Sequence, residues 1–160
     1  MTHPAKGDPA PDFTLPTDAG GPFTLSEHRG HPVVLFFYPK DDTPGCTIEN
    51  IEFSAEAERF ADLGVTLVGI SPDSAEDHVR FRKKHDLRAI LAADPERRVI
   101  EAYGFWGEKK NYGKTYMGVI RGSILVGADG LVAEVWVVRQ AKGHAAEVLE
   151  AAEALTRKPA

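Results

Sequence analysis

Two apolar runs separated by a stretch of helical periodicity constrain the fold of this chain most strongly. The runs Val33–Tyr38 and Val65–Ile70 are rich in β-branched and aromatic residues, which is typical of strands buried on both faces. Between them, apolar residues recur at helical spacing from about 43 to 63, and Gly64 stands where such a helix would end. The segment therefore predicts a buried strand, a helix and a second buried strand.

The remaining patterns extend this unit into an α/β fold. They predict short strands at 13–15 and 23–25, a short helical turn capped by Ser26, a helix from Ser74 to about His85, a short strand at 89–92, a short helix at 95–103, a loop at 104–118, a hairpin of 119–126 with 131–138, and a final helix at 143–157. The order β-β-α-β-α-β-α-β-β-α indicates a mixed sheet with helices on both faces. A thioredoxin-like core with an N-terminal extension satisfies it.

Length, charge and cysteine content narrow the class of protein. The 160 residues fit a single domain, 1–160, in which the proline-rich residues 1–11 form an extended, partly mobile arm. A net charge of -5 argues against a nucleic-acid binder. No apolar run approaches the roughly 20 residues of a membrane-spanning helix, and the N-terminus lacks the apolar core of a signal peptide. With one cysteine, no internal disulfide can form, so we expect a cytoplasmic protein.

That cysteine, Cys46, follows the first apolar run in the segment PKDDTPGCTIE. Thr43 and Pro44 are suited to the N-cap and first position of a helix, which places Cys46 in the first turn. The free N–H groups and the positive end of the helix dipole favour a thiolate there. An inert, buried cysteine is the commoner state of a lone cysteine. Packing requires no threonine, proline and glycine directly before it, however, so the context favours a reactive thiol.

At this segment the sequence resembles a known family. Pro39, Thr43 and Cys46 match the Pro-x-x-x-Thr-x-x-Cys signature of peroxiredoxins. The longer run YPKDDTPGCTIE is similar to the bacterioferritin-comigratory, or Q-type, subfamily. The resemblance covers essentially residues 8–155 and continues through 10–15, 69–71, 103–109 and 118–121.

The resemblance implies reduction of hydrogen peroxide and small organic hydroperoxides as an antioxidant activity. Cys46 would be the nucleophile that becomes a sulfenic acid. The Thr43 hydroxyl would hold the peroxide, and the N–H groups of Gly45 and Cys46 would stabilise the leaving oxygen. Pro39 would shield the thiolate from water. Arg121, in the later strand, would stabilise the thiolate and the developing alkoxide.

Other polar residues near the motif have weaker assignments. Glu49, three residues after Cys46, lies on the same helical face, where it either anchors Arg121 or is a surface acid; both alternatives remain open. Asp41 and Asp42 indicate a solvated turn rather than a metal pair. The six histidines form no recognisable ligand motif, and no bound metal or organic cofactor is implied.

The sequence departs from the subfamily in ways that affect the catalytic cycle. Many Q-type members carry a second, resolving cysteine at the position of Ile51, and others carry one on the next helix, here 74–85. Either the chain uses a one-cysteine cycle, or a resolving cysteine has been replaced. In a one-cysteine cycle an external thiol must attack the sulfenic acid; the candidates are thioredoxin, glutaredoxin or a low-molecular-weight thiol. Gly122 and Ile124 stand where serine and phenylalanine are common, and the resemblance suggests a monomer.

Three other functions compete with peroxide reduction. A thioredoxin-like disulfide oxidoreductase needs a Cys-x-x-Cys pair, which is absent. A redox sensor or holdase would oxidise Cys46 without turning over. A cysteine hydrolase would need a histidine base beside Cys46, and sequence distance does not exclude one.

Overall fold

The computed structural model describes residues 3–156. Three parts of the sequence predictions lie outside these residues: positions 1 and 2 of the expected arm, position 157 of the final helix, and the outer ends of the expected 1–160 domain. The elements are β1 (Thr14–Leu15), β2 (Phe23–Thr24), a 3-10 helix (Leu25–His28), β3 (Val33–Phe37), α1 (Pro44–Ala55), α2 (Ala57–Asp62), β4 (Thr66–Ser71), α3 (Ala75–His85), β5 (Ile90–Ala93), α4 (Arg98–Ala102), β6 (Trp106–Asn111), β7 (Lys114–Val119), β8 (Gly122–Val126), β9 (Val132–Val137) and α5 (His144–Thr156). None of the helices within 3–156 combines the length and hydropathy needed to cross a bilayer.

The central sheet is mixed and has the strand order β5-β4-β3-β8-β9. β3 occupies its middle, parallel to β4 and antiparallel to β8. Every residue of β3 is buried, as its continuous apolar sequence predicts. The expected α/β, thioredoxin-like fold with a mixed sheet and flanking helices is confirmed.

Alternate residues of β3 serve two separate cores. Val33, Leu35 and Phe37 point into a cluster that includes residues of β1, β2 and α4. Val34 and Phe36 belong to the opposite cluster, which α1, α2, α3 and α5 cover. Because both faces of the sheet are covered by apolar side chains, β3 is held rigidly, and its end is a precise support for the loop that follows it.

The predicted loop at 104–118 was wrong: most of it is a two-stranded hairpin, β6–β7. Tyr112 and Gly113 form its two-residue connection, and both have positive φ, 52° and 76°, as the tight hairpin turns require. Within residues 3–156 the hairpin is a separate two-stranded sheet, and five of the six β7 residues are exposed or half-buried. Its strands therefore lack the alternation of apolar residues by which strands are recognised.

Two other predicted elements are interrupted. The helix expected from 43 to 63 is two helices, because the backbone leaves helical geometry at Glu56 (φ -97°, ψ 4°). The strand expected at 119–126 is also divided, since β7 ends at Val119 and β8 begins at Gly122. Arg121 therefore lies in the short connection between two strands, not within one.

The N-terminal segments also differ in detail from expectation. Ser26 does not cap the short helical turn; it lies inside the 3-10 helix, for which Thr24 is the N-cap residue. The described part of the arm is hydrogen bonded to the start of β9. The N–H of Gly7 donates to the carbonyl of Val132 at 2.8 Å, and the N–H of Val132 donates to Asp8 at 2.8 Å.

Gly122, at the first position of β8, has no space beside its Cα atom for a side chain. A Cβ atom built there would lie 2.7 Å from the backbone oxygen of Trp136 and would overlap the ring of Phe105. The Phe105 ring is fully buried and stacks on Phe37 with ring centroids 4.7 Å apart. The Phe105 ring and the Trp136 carbonyl thus occupy the space that a side chain at position 122 would need, and this explains the glycine there.

We expect Gly122→Ala to lower the free energy of unfolding by roughly 2–3 kcal/mol, because the new methyl group meets backbone as well as an aromatic ring. Gly21→Ala is the matched control, since nothing lies within 4 Å of a Cβ atom at that position; it should change stability by less than about 0.5 kcal/mol. Urea unfolding of both variants measures this. Equal stability of the two would contradict the packing described.

Candidate active site

Cys46 is the third residue of α1, directly beyond the end of β3 through the loop 38–43. Thr43 is the N-cap residue, with extended backbone (φ -94°, ψ 156°), and Pro44 is the first helical residue. The predicted placement of the cysteine in the first helical turn is therefore correct. Cys46 is only 1% exposed, yet the N–H groups of this turn have no partner within the helix ladder and remain oriented toward its N-terminal end.

Thr43 does not use its side chain as a helix cap. Its hydroxyl donates instead to the carbonyl of Lys40 at 2.8 Å, within the same loop. The oxygen of a hydroxyl that donates its proton keeps its acceptor lone pairs. Thr43 is accordingly set to accept a hydrogen bond from a ligand O–H group. Pro39 lies partly exposed at the start of this loop.

Arg121 joins Cys46 and Glu49 in one arrangement. Its Nη2 donates to Cys46 Sγ at 3.2 Å, and its Nη1 donates to Glu49 Oε1 at 2.7 Å. The open question about Glu49 is thereby decided: Glu49 is 1% exposed and anchors Arg121 rather than lying on the surface. The two donors of one planar guanidinium fix its plane against both partners.

Gly45 makes room for this guanidinium. A Cβ atom at Gly45 would lie 3.1 Å from Nη2 of Arg121, which is closer than a side chain allows without a shift of the arginine. The glycine directly before the cysteine is therefore explained by the close approach of Arg121 to the first turn of α1.

Burial dominates the electrostatics of Glu49. It raises the pKa of Glu49 from its usual value near 4.5 to about 7, although the charge and hydrogen bond of Arg121 oppose the shift. Oε2 of Glu49 is buried and has no hydrogen-bond partner among the described residues, so only one oxygen of the carboxylate is stabilised directly. The anchor of Arg121 is thus a group that takes up a proton near neutral pH.

Lys109 is a second cation of the site that the sequence did not identify. It lies on β6, and its Nζ donates to the carbonyl of Val119 at 2.9 Å. Burial lowers the pKa of Lys109, repulsion from Arg121 lowers it further, and the Cys46 sulfur acts in the opposite direction. The only signal was its position in the segment 103–109 that carries the resemblance; the loop predicted there gave no reason to place it near Cys46.

The expectation that Asp41 and Asp42 form a solvated turn holds for Asp42 only. Asp42 is exposed, has a positive φ of 61°, and pairs with Lys84 and His85 of α3. Asp41 is buried, 9% exposed, and its Oδ2 lies 2.6 Å from Nδ1 of His78. The prediction was wrong for Asp41 because its partner is 37 residues away in sequence.

The arrangement selects among the competing chemistries. In the described part of the chain, Cys46 Sγ is hydrogen bonded to Arg121 and to no histidine, so the geometry of a cysteine hydrolase is not present there. A sulfur at a helix N-terminus beside a fixed cation does not need a histidine base to act as a nucleophile. A thioredoxin-like fold in which a thiol without a Cys-x-x-Cys partner lies beside a fixed arginine indicates the class of thiol-dependent peroxidases.

Comparison with known proteins identifies the family within that class. The family model described as AhpC/TSA family matches residues 6–135. Peroxiredoxin Bcp of Bacillus subtilis is 41% identical over 152 residues, which cover 95% of this chain and 97% of that protein. Peroxiredoxin Bcp of Escherichia coli K12 is 40% identical over 135 residues, covering 84% and 86%.

Solved structures agree with this result. A structure of Xanthomonas campestris peroxiredoxin Q superposes with a TM-score of 0.85 at 35% identity, covering 91% of this chain and 92% of that one. Peroxidoxin BcpB of Mycobacterium tuberculosis gives a TM-score of 0.84 at 33% identity, covering 96% and 99%. The chain belongs to the AhpC/TSA family, as a peroxiredoxin of the Bcp, or Q, type that has a single cysteine.

The raised pKa of Glu49 predicts how stability depends on pH. An acid whose pKa is higher in the folded than in the unfolded state loses stability as pH rises between the two values, here from 4.5 to about 7. We expect this group to account for a decrease of at most about 3 kcal/mol. Urea unfolding at pH 4.5 and pH 7.5 should show that the free energy of unfolding decreases less in Glu49→Gln than in the unchanged protein. An unchanged pH dependence in the variant would contradict the assignment.

Lys109 should contribute to the reactivity of Cys46 through its charge. We expect Lys109→Met to slow the reaction of Cys46 with hydrogen peroxide roughly threefold to tenfold, because a cation near the thiolate is removed. Lys110→Met is the matched control, since Lys110 is the next residue of β6, is exposed and points to the opposite face. Stopped-flow rates at low and high ionic strength measure both variants. Equal effects would assign the change to general surface charge.

Proposed function

We propose that this peroxiredoxin reduces hydrogen peroxide and small organic hydroperoxides at Cys46, in an antioxidant role, and that an external thiol regenerates the cysteine. The observation that carries the proposal is the hydrogen bond from Arg121 to Cys46 Sγ at 3.2 Å, with Arg121 held by buried Glu49. A structural study of the Xanthomonas campestris relative concerns alkyl peroxide reduction, which supports including organic hydroperoxides among the substrates.

In the proposed oxidation step, the Cys46 thiolate attacks one peroxide oxygen. An S–O bond forms, the O–O bond breaks, and the leaving hydroxide or alkoxide takes a proton to become water or an alcohol. Cys46 is thereby oxidised to the sulfenic acid. Arg121 stabilises the thiolate and the negative charge on the leaving oxygen, because it is a fixed cation within hydrogen-bond distance of the sulfur.

The loop and the first turn of α1 orient the peroxide. The Thr43 hydroxyl accepts a hydrogen bond from the peroxide O–H, since its own proton is donated to Lys40. The N–H groups of Gly45 and Cys46 lie in the first turn of α1, where they have no partner within the helix, and they donate to the substrate oxygens. Pro39 limits the access of water to the thiolate from the β3 side of the loop.

Regeneration requires a thiol from outside the chain. Ile51, at one usual position of a resolving cysteine, is 44% exposed on α1, and the sequence has no cysteine besides Cys46. An external thiol attacks the sulfenic sulfur with release of water, and a second thiol exchanges with the mixed disulfide to restore Cys46. Because Cys46 is 1% exposed, a protein reductant reaches it only when the first turn of α1 opens. Thioredoxin, glutaredoxin and a low-molecular-weight thiol are the candidate reductants.

The remaining assignments belong to the same proposal. The single cysteine favours the reducing environment of the cytoplasm, and the net charge of -5 favours neither nucleic acid nor an anionic membrane surface as a partner. We take the chain as a single domain, 1–160, that acts as a monomer.

The first experiment mixes reduced protein with hydrogen peroxide and follows the fluorescence of Trp106 and Trp136. We expect a stoichiometric change at a rate at least about 10³-fold above that of free cysteine, because orientation and charge stabilisation both act on this step. A sulfenic-acid reagent should label Cys46 at the same rate. Cys46→Ser should show no change. A rate equal to that of free cysteine would disprove the proposed activity.

Turnover then separates an enzyme from a sensor. Oxidised protein is mixed with reduced thioredoxin, glutaredoxin or glutathione, and consumption of peroxide is measured over many equivalents. The proposal expects sustained consumption with at least one of these thiols. A rapid single oxidation without turnover under any of them would favour the redox-sensor function.

A further inference from the structure

A buried polar cluster ties the loop that precedes Cys46 to α3. We call it the loop anchor; it consists of Tyr38, Asp41, Ser71, Asp73 and His78. His78 is 0% exposed and Asp41 is 9% exposed. Polar groups are buried at a cost unless they are paired, so a cluster of this size beside a reactive loop needs an explanation beyond packing.

Both ring nitrogens of His78 face acceptors. Nδ1 lies 2.6 Å from Asp41 Oδ2, and Nε2 lies 3.1 Å from the carbonyl oxygen of Ala92 on β5. A carbonyl oxygen only accepts, so Nε2 carries a proton. Nδ1 and the Asp41 carboxyl group share the second hydrogen bond of the ring. This ring position is fixed from two sides by the sheet and by the loop.

Asp41 is held through both carboxylate oxygens and its backbone N–H. Its Oδ1 accepts from the Tyr38 hydroxyl at 2.7 Å, and its backbone N–H donates to Asp73 Oδ2 at 2.8 Å. The same Asp73 oxygen accepts from the Ser71 hydroxyl at 2.6 Å. The loop therefore has no freedom to move at Asp41 without breaking several buried hydrogen bonds at once.

The anchored residue is close to the reactive groups along the chain. Asp41 precedes Thr43 by two residues, and the Thr43 hydroxyl is bonded back to Lys40 at 2.8 Å. The intervening Asp42 has the left-handed backbone conformation, so the chain reverses sharply between the anchor and the helix. The position of Asp41 thus determines where the Thr43 hydroxyl and the first turn of α1 lie relative to Arg121.

A metal ion is a weaker explanation of the cluster. Ligand atoms of Asp41, Asp73 and His78 lie within 4.8 Å of one another, but each of these groups already has hydrogen-bond partners in the structure. An ion would have to displace the bonds between them. The existing bonds account for the burial of the three side chains without a ligand.

We propose that His78 is a positioning residue for the peroxidase reaction: through its contact with Asp41, it holds the loop 38–43 so that Thr43 and Cys46 are aligned with Arg121. This inference rests on the proposed function. The role of His78 should affect one reaction of Cys46 and not another. Attack on peroxide requires that Cys46, Thr43, Arg121 and the peroxide-binding N–H groups be aligned. Alkylation of the thiolate by iodoacetamide requires neither Thr43 nor those N–H groups. Misalignment should therefore slow the reaction with peroxide and leave the rate of alkylation unchanged.

Two variants of His78 separate its two contacts. His78→Asn keeps a donor near the place of Nδ1 and loses the bond to Ala92, whereas His78→Gln keeps a donor near the place of Nε2 and loses the bond to Asp41. We expect His78→Gln to lower the rate constant for hydrogen peroxide roughly 10-fold to 100-fold, as a small misplacement of reacting groups does. His78→Asn should remain within about threefold of the unchanged protein.

A control variant on the same helix distinguishes positioning from loss of stability. Arg82 of α3 is paired with Asp18, and within residues 3–156 neither side chain is hydrogen bonded to the loop 38–43. Asp18→Asn should weaken the attachment of α3 without changing the peroxide rate. Thermal unfolding and circular dichroism show which variants are folded and by how much each is destabilised.

The rates of peroxide reduction and of alkylation in the variants decide the inference. A loss of peroxide rate in His78→Gln, with an unchanged or faster alkylation rate and with rescue in His78→Asn, supports the inference. Equal loss in both His78 variants, no loss in either, parallel loss of both reactions, or an equal loss in Asp18→Asn overturns it. If the unchanged protein itself reacts with peroxide no faster than free cysteine, the proposed function has failed, and that failure is seen before any variant is compared.

Discussion

The interaction on which the site depends is the ion pair of Arg121 with buried Glu49. It holds a guanidinium 3.2 Å from the sulfur of Cys46 and connects the β7–β8 junction to α1, two parts of the fold that are 72 residues apart in sequence. Neither partner is stable alone in this place, because an unpaired charge in an apolar surrounding is costly. The burial that raises the pKa of Glu49 to about 7 is therefore the same burial that keeps water from competing for Arg121.

A second constraint acts on the loop between β3 and α1. β3 is covered on both faces and cannot shift, and α3 holds the loop through Asp41 and Asp42. The loop before Cys46 is thus held by the sheet and by α3, and the sulfur of Cys46 is held by Arg121. This support explains how a thiol that is 1% exposed remains correctly oriented for a small substrate. In the proposed cycle it also separates access of peroxide from access of a protein reductant, for which the first turn would have to open.

The sequence correctly predicted the elements whose formation depends on local interactions. Continuous apolar runs identified β3 and β4, and a threonine, proline and glycine before Cys46 identified the start of α1. It failed at the β6–β7 hairpin, because strands whose side chains stay exposed carry no apolar alternation. It failed at Asp41 as well, since local composition cannot show that an aspartate in a turn is covered by a helix that begins more than thirty residues later.

What the sequence by itself determined is the chemistry: one thiol, at the N-terminus of a helix that follows a buried strand, with no second cysteine to resolve it. Those properties depend on the identity and order of neighbouring residues, and the cap, the proline and the helix dipole all act within one turn. Only the tertiary structure decided which groups are packed around Arg121 and around the loop that precedes Cys46. Glu49, Lys109 and His78 acquire their roles from contacts made across the fold, because burial and pairing, rather than residue type, set what an ionisable side chain does.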